Sequence, residues 1–129
     1  MLNNLLKITN ELKASDLFIS VGLPPSVKLN GRLQPLSETE LSTADVDSLL
    51  ESTMGSEQLA QFRLTKEANF ALSSKESGRF RISAFMQKEQ PGMVLRRIET
   101  KIPTFEELYL PEQLKETSMA QRGLILFVG

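Results

Sequence analysis

The chain has 129 residues, enough for one ordinary hydrophobic core with an appended segment from a second domain. Its hydrophobic fraction of 40% and charged fraction of 24% are those of a soluble globular domain, not of a disordered chain. The 15 basic and 16 acidic residues give a net charge of −1, which excludes a global nucleic-acid or anionic-membrane signature.

Cysteine, histidine and tryptophan are absent from the sequence. Disulfide scaffolds, zinc sites built from Cys or His, and Ser-His or Cys-His catalytic dyads are therefore excluded. Residues 1–14 lack the basic n-region and continuous apolar run of a signal peptide, and no stretch resembles a transmembrane segment. We expect a cytosolic protein.

The first 36 residues predict a helix, a strand and a hairpin. An amphipathic helix is expected over residues 2–13, followed by a strand from Leu17 to Val21. The break at 22–25 contains tandem prolines, which favour an extended chain. Asn30-Gly31 then predicts a type I′ turn between two strands that end at Leu36.

Two helices are expected in the middle of the chain. Ser42 is predicted to cap the first helix, with Asp45 in the place where a capping box prefers Glu. Gly55 is predicted to end this helix, and Ser56 to cap the next. The predicted inward-facing residues are Val46, Leu49, Leu50, Met54, Leu59 and Phe62.

Three further strands are expected over residues 67–73, 79–87 and 93–99. Turns are predicted at Ser77-Gly78 and at Gln90-Pro91-Gly92. Short links between successive strands favour antiparallel pairing. The pattern predicts a mixed α+β fold in which helices flank an antiparallel sheet.

Four arginines lie on the last two predicted strands. Arg79 and Arg81 share one face, because residues two apart on a strand lie on the same side. Arg96 and Arg97 lie on opposite faces. Arg96 is in phase with apolar residues, where a charge is costly unless it is paired.

Two interpretations of these arginines stay open at the level of the residues. The guanidinium groups could form a phosphate-binding patch, since their planar fork matches anionic oxygens. Alternatively, they could form structural ion pairs with Glu67, Glu76 or Glu99.

Residues 101–122 are predicted to connect two domains. This stretch contains two prolines and little core-forming material. Thr104 and Glu107 resemble a capping box before a short helix, and a further helix is expected from Pro111 to about Met119. A domain boundary near residue 100 follows.

The last seven residues, Gly123–Gly129, predict a short strand buried on both faces, as in a parallel sheet. On residues alone it could be the final strand of a complete domain. It could also lead into a phosphate-binding loop, G-x-x-x-x-G-K-[ST], interrupted after its first glycine, Gly129, although periodicity alone favours the final strand.

Six motifs in order resemble one family, the type IV pilus retraction ATPases of the PilT/PilU group within the secretion-ATPase superfamily. Phe18 stands where most of the superfamily has His, which resembles the PilU branch more than the PilT branch. The motifs lie at residues 14–17, 22–33, 78–83, 95–98, 102–108 and 122–129.

The resemblance implies three segments: a PAS-like N-terminal domain over 1–100, an interdomain linker over 101–122, and the first strand of a truncated RecA-like ATPase domain over 123–129. The phosphate-loop lysine, the magnesium-binding acids and the catalytic Glu would lie beyond Gly129. We therefore expect no catalytic residue, no metal site and no tight ATP binding in the fragment, whereas the full-length protein would use ATP and magnesium.

The resemblance also implies a hexameric ring that drives pilus retraction and twitching motility. The N-terminal domain would pack on the neighbouring subunit's ATPase domain and direct Arg81 and Arg96 at the nucleotide phosphates, with Arg79 and Arg97 as flanking candidates. Expected partners are neighbouring subunits, a paralogous retraction ATPase and the inner-membrane platform protein. The expected location is the cytoplasmic side of the pilus base.

The sequence is also compatible with two other classes of function. One is a stand-alone PAS-like sensor or protein-interaction module. The other is a small nucleic-acid binder, which the balanced charge and the scarcity of aromatic residues disfavour. In each case the apolar run Leu124–Val128 is expected to fold back or to pair with another chain, because an exposed apolar strand is an association hazard.

Overall fold

The computed structural model describes residues 1–129, which form an antiparallel six-stranded sheet in the order β3-β2-β1-β6-β5-β4 with helices on one face. The expected antiparallel α+β arrangement is confirmed. The elements are α1 (Leu2–Glu11), β1 (Asp16–Ser20), β2 (Ser26–Leu29), β3 (Arg32–Pro35), α2 (Thr43–Glu51), α3 (Ser56–Thr65), β4 (Glu67–Ser74), β5 (Gly78–Gln87), β6 (Gln90–Ile98) and α4 (Gln113–Ser118).

The β2–β3 hairpin forms at the predicted turn. Asn30 and Gly31 have φ angles of 50° and 80°, as a type I′ turn requires, and Leu29 pairs with Arg32 on either side of them. The predicted first helix and first strand also form, each ending slightly before its expected last residue.

Helix α2 begins with the predicted capping box. The Ser42 hydroxyl accepts from the Asp45 backbone N–H at 3.2 Å, and the Asp45 carboxylate accepts from the Ser42 N–H at 2.9 Å. The predictions for Gly55 and Ser56 were wrong. The hydroxyls of Ser52 and Thr53 bond back to carbonyls of the last turn, so α2 ends before Gly55, which instead caps α3.

The turn between β5 and β6 lies two residues earlier than predicted. Lys88 and Glu89 make the turn with φ angles of 49° and 63°, while Pro91 and Gly92 belong to β6. Pro91 is tolerated because β1 pairs with β6 only as far as Gly92. Its missing N–H therefore interrupts no bond to β1.

The core lies between the helices and one face of the sheet. Helix α1 packs on β1 and β5, α2 packs on β6, and α3 packs on β4. Helix and strand residues that share this core include Leu6, Val46, Leu50, Phe62, Leu17, Ile19, Phe80, Ile82, Met93 and Leu95.

The other side of the sheet is called here the open face, and it contains Asp16, Lys28, Arg79, Arg81 and Arg96. Strand alternation puts these residues opposite the core, because their strand neighbours Leu17, Val27, Phe80, Ile82 and Leu95 are buried. The three arginines of this face are exposed.

Residues 101–129 contribute no buried side chain. The capping-box bonds between Thr104 and Glu107 form at 2.9 and 3.2 Å, but the expected helix there is wrong, since only turns follow. Tyr109 stops the turn with a φ of 53°, and the Leu110 N–H bonds back to Phe105. Helix α4 lies inside the region where a helix was predicted.

The C-terminal run forms no strand in this chain. Residues 124–129 have no regular structure, and Phe127 and Val128 are 80% and 92% exposed. Within this chain the run therefore neither folds back nor forms a strand, because no element of the sheet pairs with it. Its expected place as a buried strand of a second domain stays a prediction. Pairing with another chain stays a prediction.

None of the helices combines the length and hydropathy that a membrane-spanning segment needs.

Candidate functional site

Charged side chains line up across four strands of the open face. Arg81 of β5 is directly opposite Arg96 of β6, which is opposite Asp16 of β1, which in turn is opposite Lys28 of β2. Directly opposed residues have Cβ atoms about 4.5–5.5 Å apart. Three cations and one carboxylate therefore share one row, which we call the charged row.

Arg79 lies one row away, opposite Ser73 on one side and Ile98 on the other. Neither Arg79 nor Arg81 has a carboxylate oxygen within 4.0 Å, and both are exposed. Both guanidinium groups are therefore available to an incoming anion. The predicted shared face of Arg79 and Arg81 is confirmed.

The guanidinium group of Arg96 is bonded to the protein through one nitrogen only. Its Nε donates to Asp16 Oδ1 at 3.0 Å, while its terminal nitrogens bond to no other residue. The Arg96 side chain is 68% exposed and the Asp16 side chain only 9%. An anion can therefore approach the free end of the guanidinium without displacing Asp16.

Asp16 is in turn fixed by Ser15, whose hydroxyl donates to Asp16 Oδ2 at 2.8 Å. Burial raises the pKa of Asp16, but hydrogen bonds from Ser15 and Arg96 and the charges of Arg96 and Lys28 outweigh it, so the net pKa lies below the ordinary value. The carboxylate stays ionised at neutral pH.

Arg97 lies on the core side, in phase with the buried Met93 and Leu95. Its side chain is 15% exposed; Nε donates to the Ala14 carbonyl at 3.0 Å and Nη1 to Glu99 at 2.8 Å. The hydrogen bond and charge of Arg97 lower the pKa of Glu99. Arg97 thus has both Nε and one terminal nitrogen in structural contacts, because the sheet alternation puts it at the end of the core, whereas Arg96 uses Nε alone.

The structural ion pairs proposed from the sequence form only in part. Glu99 does pair with Arg97, but along the strand and not across the sheet, and neither Glu67 nor Glu76 pairs with any of the four arginines. The sequence analysis did not predict a role for Asp16. The pattern that could have predicted one is a carboxylate at the start of a strongly apolar strand, because a buried carboxylate needs a cationic partner.

The arrangement is suited to binding an anion. Arg81 and Arg96 are like charges directly opposite each other, which is unfavourable until a negative group lies between or above them. Guanidinium groups bond phosphate oxygens in pairs, with charge-assisted hydrogen bonds. No group of three or more acidic residues is close enough together to hold a metal ion.

The chain is similar to known proteins over almost its full length. It is 50% identical to the type IV pilus ATPase PilU of Pseudomonas aeruginosa over 97% of the chain and 33% of that protein. It is 34% identical to the type IV pilus retraction ATPase PilT of the same organism, over 99% of the chain and 37% of PilT. No protein-family model matches the chain.

A solved structure of the pilus retraction motor PilT with bound ADP superposes with a TM-score of 0.76 and 28% identity, over 90% of this chain and 34% of that one. These matches define one class, the motor ATPases of type IV pili. PilU and PilT are homologues of this chain, and the resemblance inferred from the six motifs is confirmed. The chain spans about a third of the length of the curated relatives it matches.

Proposed function

We propose that this chain is the N-terminal domain of a hexameric type IV pilus retraction ATPase, with roles in pilus disassembly and twitching motility. The observation that carries the proposal is the 50% identity to PilU over 97% of the chain. In this role the domain packs on the ATPase domain of the neighbouring subunit and directs arginines of the open face at the nucleotide phosphates.

The charged row supports this role. Arg81 and Arg96 are opposed across β5 and β6 and both are exposed, so a phosphate group would relieve their mutual repulsion. Arg79 is one row away and has no ionic partner, which makes it the flanking contact. Arg97 is the weakest candidate of the four because its donors are already bonded to Ala14 and Glu99.

Arginines delivered by another domain make catalysis depend on domain geometry. A guanidinium that reaches the transferring phosphoryl group stabilises its transition-state charge and can supply roughly 10³–10⁵ in rate. Since closure is needed to deliver it, hydrolysis and domain movement are coupled, as a motor requires.

The rest of the proposal follows the same resemblance. Residues 1–100 form a PAS-like domain, residues 101–122 a linker, and residues 123–129 the opening strand of a RecA-like ATPase domain, with Gly129 at the start of its phosphate loop. That ATPase domain binds ATP and magnesium. Partners are neighbouring subunits, a paralogous retraction ATPase and the platform protein at the cytoplasmic face of the inner membrane.

The test uses the full-length natural gene product. Deleting the gene should leave cells that assemble pili but retract them poorly, and the purified product should form rings that hydrolyse ATP. Retraction should return with the wild-type gene. Normal retraction in the deletion strain, in a background where the paralogous ATPase is also absent, would contradict the proposal.

A second candidate is a stand-alone PAS-like sensor or protein-interaction module. The open face favours the interaction part of this alternative, because Ile98 is 40% exposed beside the arginines. A depression across β4, β5 and the end of β6 is lined on that face by Ala71, Ser73, Arg79, Arg81 and Ile98. A product that forms no ring and hydrolyses no ATP, yet captures a partner through this face, would favour the module.

A further inference from the structure

In the charged row, Asp16 contacts Arg96, whose guanidinium group is bonded to the protein through Nε alone. We propose that Asp16 is a positioning residue, which fixes Arg96 so that its free terminal nitrogens face the phosphate bound beside Arg81. This inference rests on the proposed function and deepens it, because it names the residue that aims one of the arginines.

The contact geometry supports positioning. The bond from Arg96 Nε to Asp16 Oδ1 is 3.0 Å, and it uses the guanidinium edge nearest the stem of the side chain. The two terminal nitrogens stay free, and they are the pair that a phosphate would accept from. An arginine side chain fixed in this way loses less conformational freedom when the anion binds.

Asp16 is itself anchored. Ser15 donates its hydroxyl to Oδ2, the Ser15 backbone N–H bonds to the Lys28 carbonyl at 2.9 Å, and the Ser15 carbonyl accepts from the Arg97 N–H at 2.9 Å. The carboxylate is therefore held to the strands on both sides. A side chain that contacts a ligand is aimed precisely only when the residue that orients it is itself held rigidly, as Asp16 is here.

The charge balance of the row gives Asp16 a second effect on Arg96. Without this carboxylate, Arg96 would be directly opposite the cation Arg81 on β5 and would have no anion on its other side, where the next charge of the row is the cation Lys28, two strands away on β2. Like charges directly opposite each other repel, so Arg96 would swing toward solvent. Asp16 thus holds Arg96 in the row as well as orienting it.

The experiment measures steady-state ATP turnover by full-length rings of Asp16→Asn, Arg96→Ala and the double variant. Asparagine keeps the shape and an acceptor oxygen but removes the charge. We expect Asp16→Asn to lower kcat roughly ten- to a hundredfold with little change in KM for ATP, as misplacement of a transition-state contact does. In the Arg96→Ala background the same change should have no further effect, since the residue it positions is gone.

Asp47→Asn is the matched control, because Asp47 is exposed on α2 and bonds to no arginine. Ser15→Ala is a second, milder variant, which should lower kcat in the same manner but by less. Unchanged turnover in Asp16→Asn, or an equal fold-loss with and without Arg96, would overturn the inference.

A measurement on the 129-residue chain separates this inference from the proposed function. The Nε–H resonance of Arg96 should be distinct and slowly exchanging in the wild type, and should move toward those of free arginines in Asp16→Asn. An unchanged resonance would overturn positioning. If the resonance moves but Arg96→Ala leaves turnover intact, the contact is real and the proposed function fails.

Discussion

Asp16 and Arg96 are 80 positions apart in the sequence and meet only because β1 pairs with β6. No local pattern could predict that contact, since it depends on strand order and register. The shared face of Arg79 and Arg81 was predictable, because alternation within one strand needs no tertiary information. The same alternation also places Arg97 with Met93 and Leu95, so its burial was available from the sequence and was overlooked.

The lowered pKa of Asp16 makes one part of the stability depend on pH. A carboxylate whose pKa is lower in the folded state than in the unfolded state stabilises the fold at pH values above its unfolded-state pKa, about 3.9. That contribution is lost as the pH falls through the lower pKa that Asp16 has in the folded state.

We therefore expect the free energy of unfolding of the wild type to drop more steeply below about pH 4 than that of Asp16→Asn. Urea unfolding of both chains between pH 3 and pH 7 measures this, with m-values checked for each. The comparison isolates Asp16, because the other carboxylates are common to both chains. Parallel pH profiles would show that Asp16 contributes no such stability.

At the scale of single elements, the sequence predicted the turns and helix caps whose conformation depends only on neighbouring residues. Asn30-Gly31 predicted its hairpin turn because both residues tolerate positive φ. The turn at Lys88-Glu89 also has positive φ at both residues, but Lys and Glu rarely adopt such angles, so nothing in the local sequence predicts the turn there, and the nearby Pro91-Gly92 favoured the wrong position. The β5–β6 pairing, not the turn residues, fixes that turn.

Helix α2 offers a direct test of the capping box. Ser42→Ala removes the acceptor for the Asp45 N–H and the partner of the Asp45 carboxylate. We expect the free energy of unfolding to fall by about 1 kcal/mol. Ser48→Ala is the matched control, since Ser48 is exposed within the same helix and should be neutral or slightly stabilising. Equal effects in urea unfolding would show that the cap contributes nothing specific.

At the scale of the whole molecule, the sheet has one face packed by helices and one face that carries the charged row. The expected antiparallel α+β fold was predictable from strand and helix patterns, but the strand order β3-β2-β1-β6-β5-β4 was not, because it depends on long-range pairing. The run 124–128 illustrates the same limit. Its apolar sequence predicts a buried strand, yet burial needs a partner that the rest of this chain does not supply.

The exposed run predicts self-association of the 129-residue chain. Five consecutive apolar residues, between 48% and 92% exposed, favour pairing with a second copy. Phe127→Asp should shift the mass measured by light scattering toward the monomer. Tyr109→Asp is the control, because Tyr109 is an aromatic residue at least as exposed as Phe127 but lies outside the run. The same mass for the wild type and Phe127→Asp would contradict the prediction.

The measurement that most directly tests the central claim is ATP turnover by full-length rings carrying Arg81→Ala or Arg96→Ala, beside Arg32→Ala. Arg32 is an exposed arginine without an ionic partner on β3, which lies three strands from β6, and its pairing with Leu29 places it on the face opposite the charged row. We expect both row variants to lose turnover by roughly 10³-fold or more while rings and nucleotide binding persist, and Arg32→Ala to match the wild type. Full turnover in both row variants, with intact rings, would contradict a role for the open face at the nucleotide.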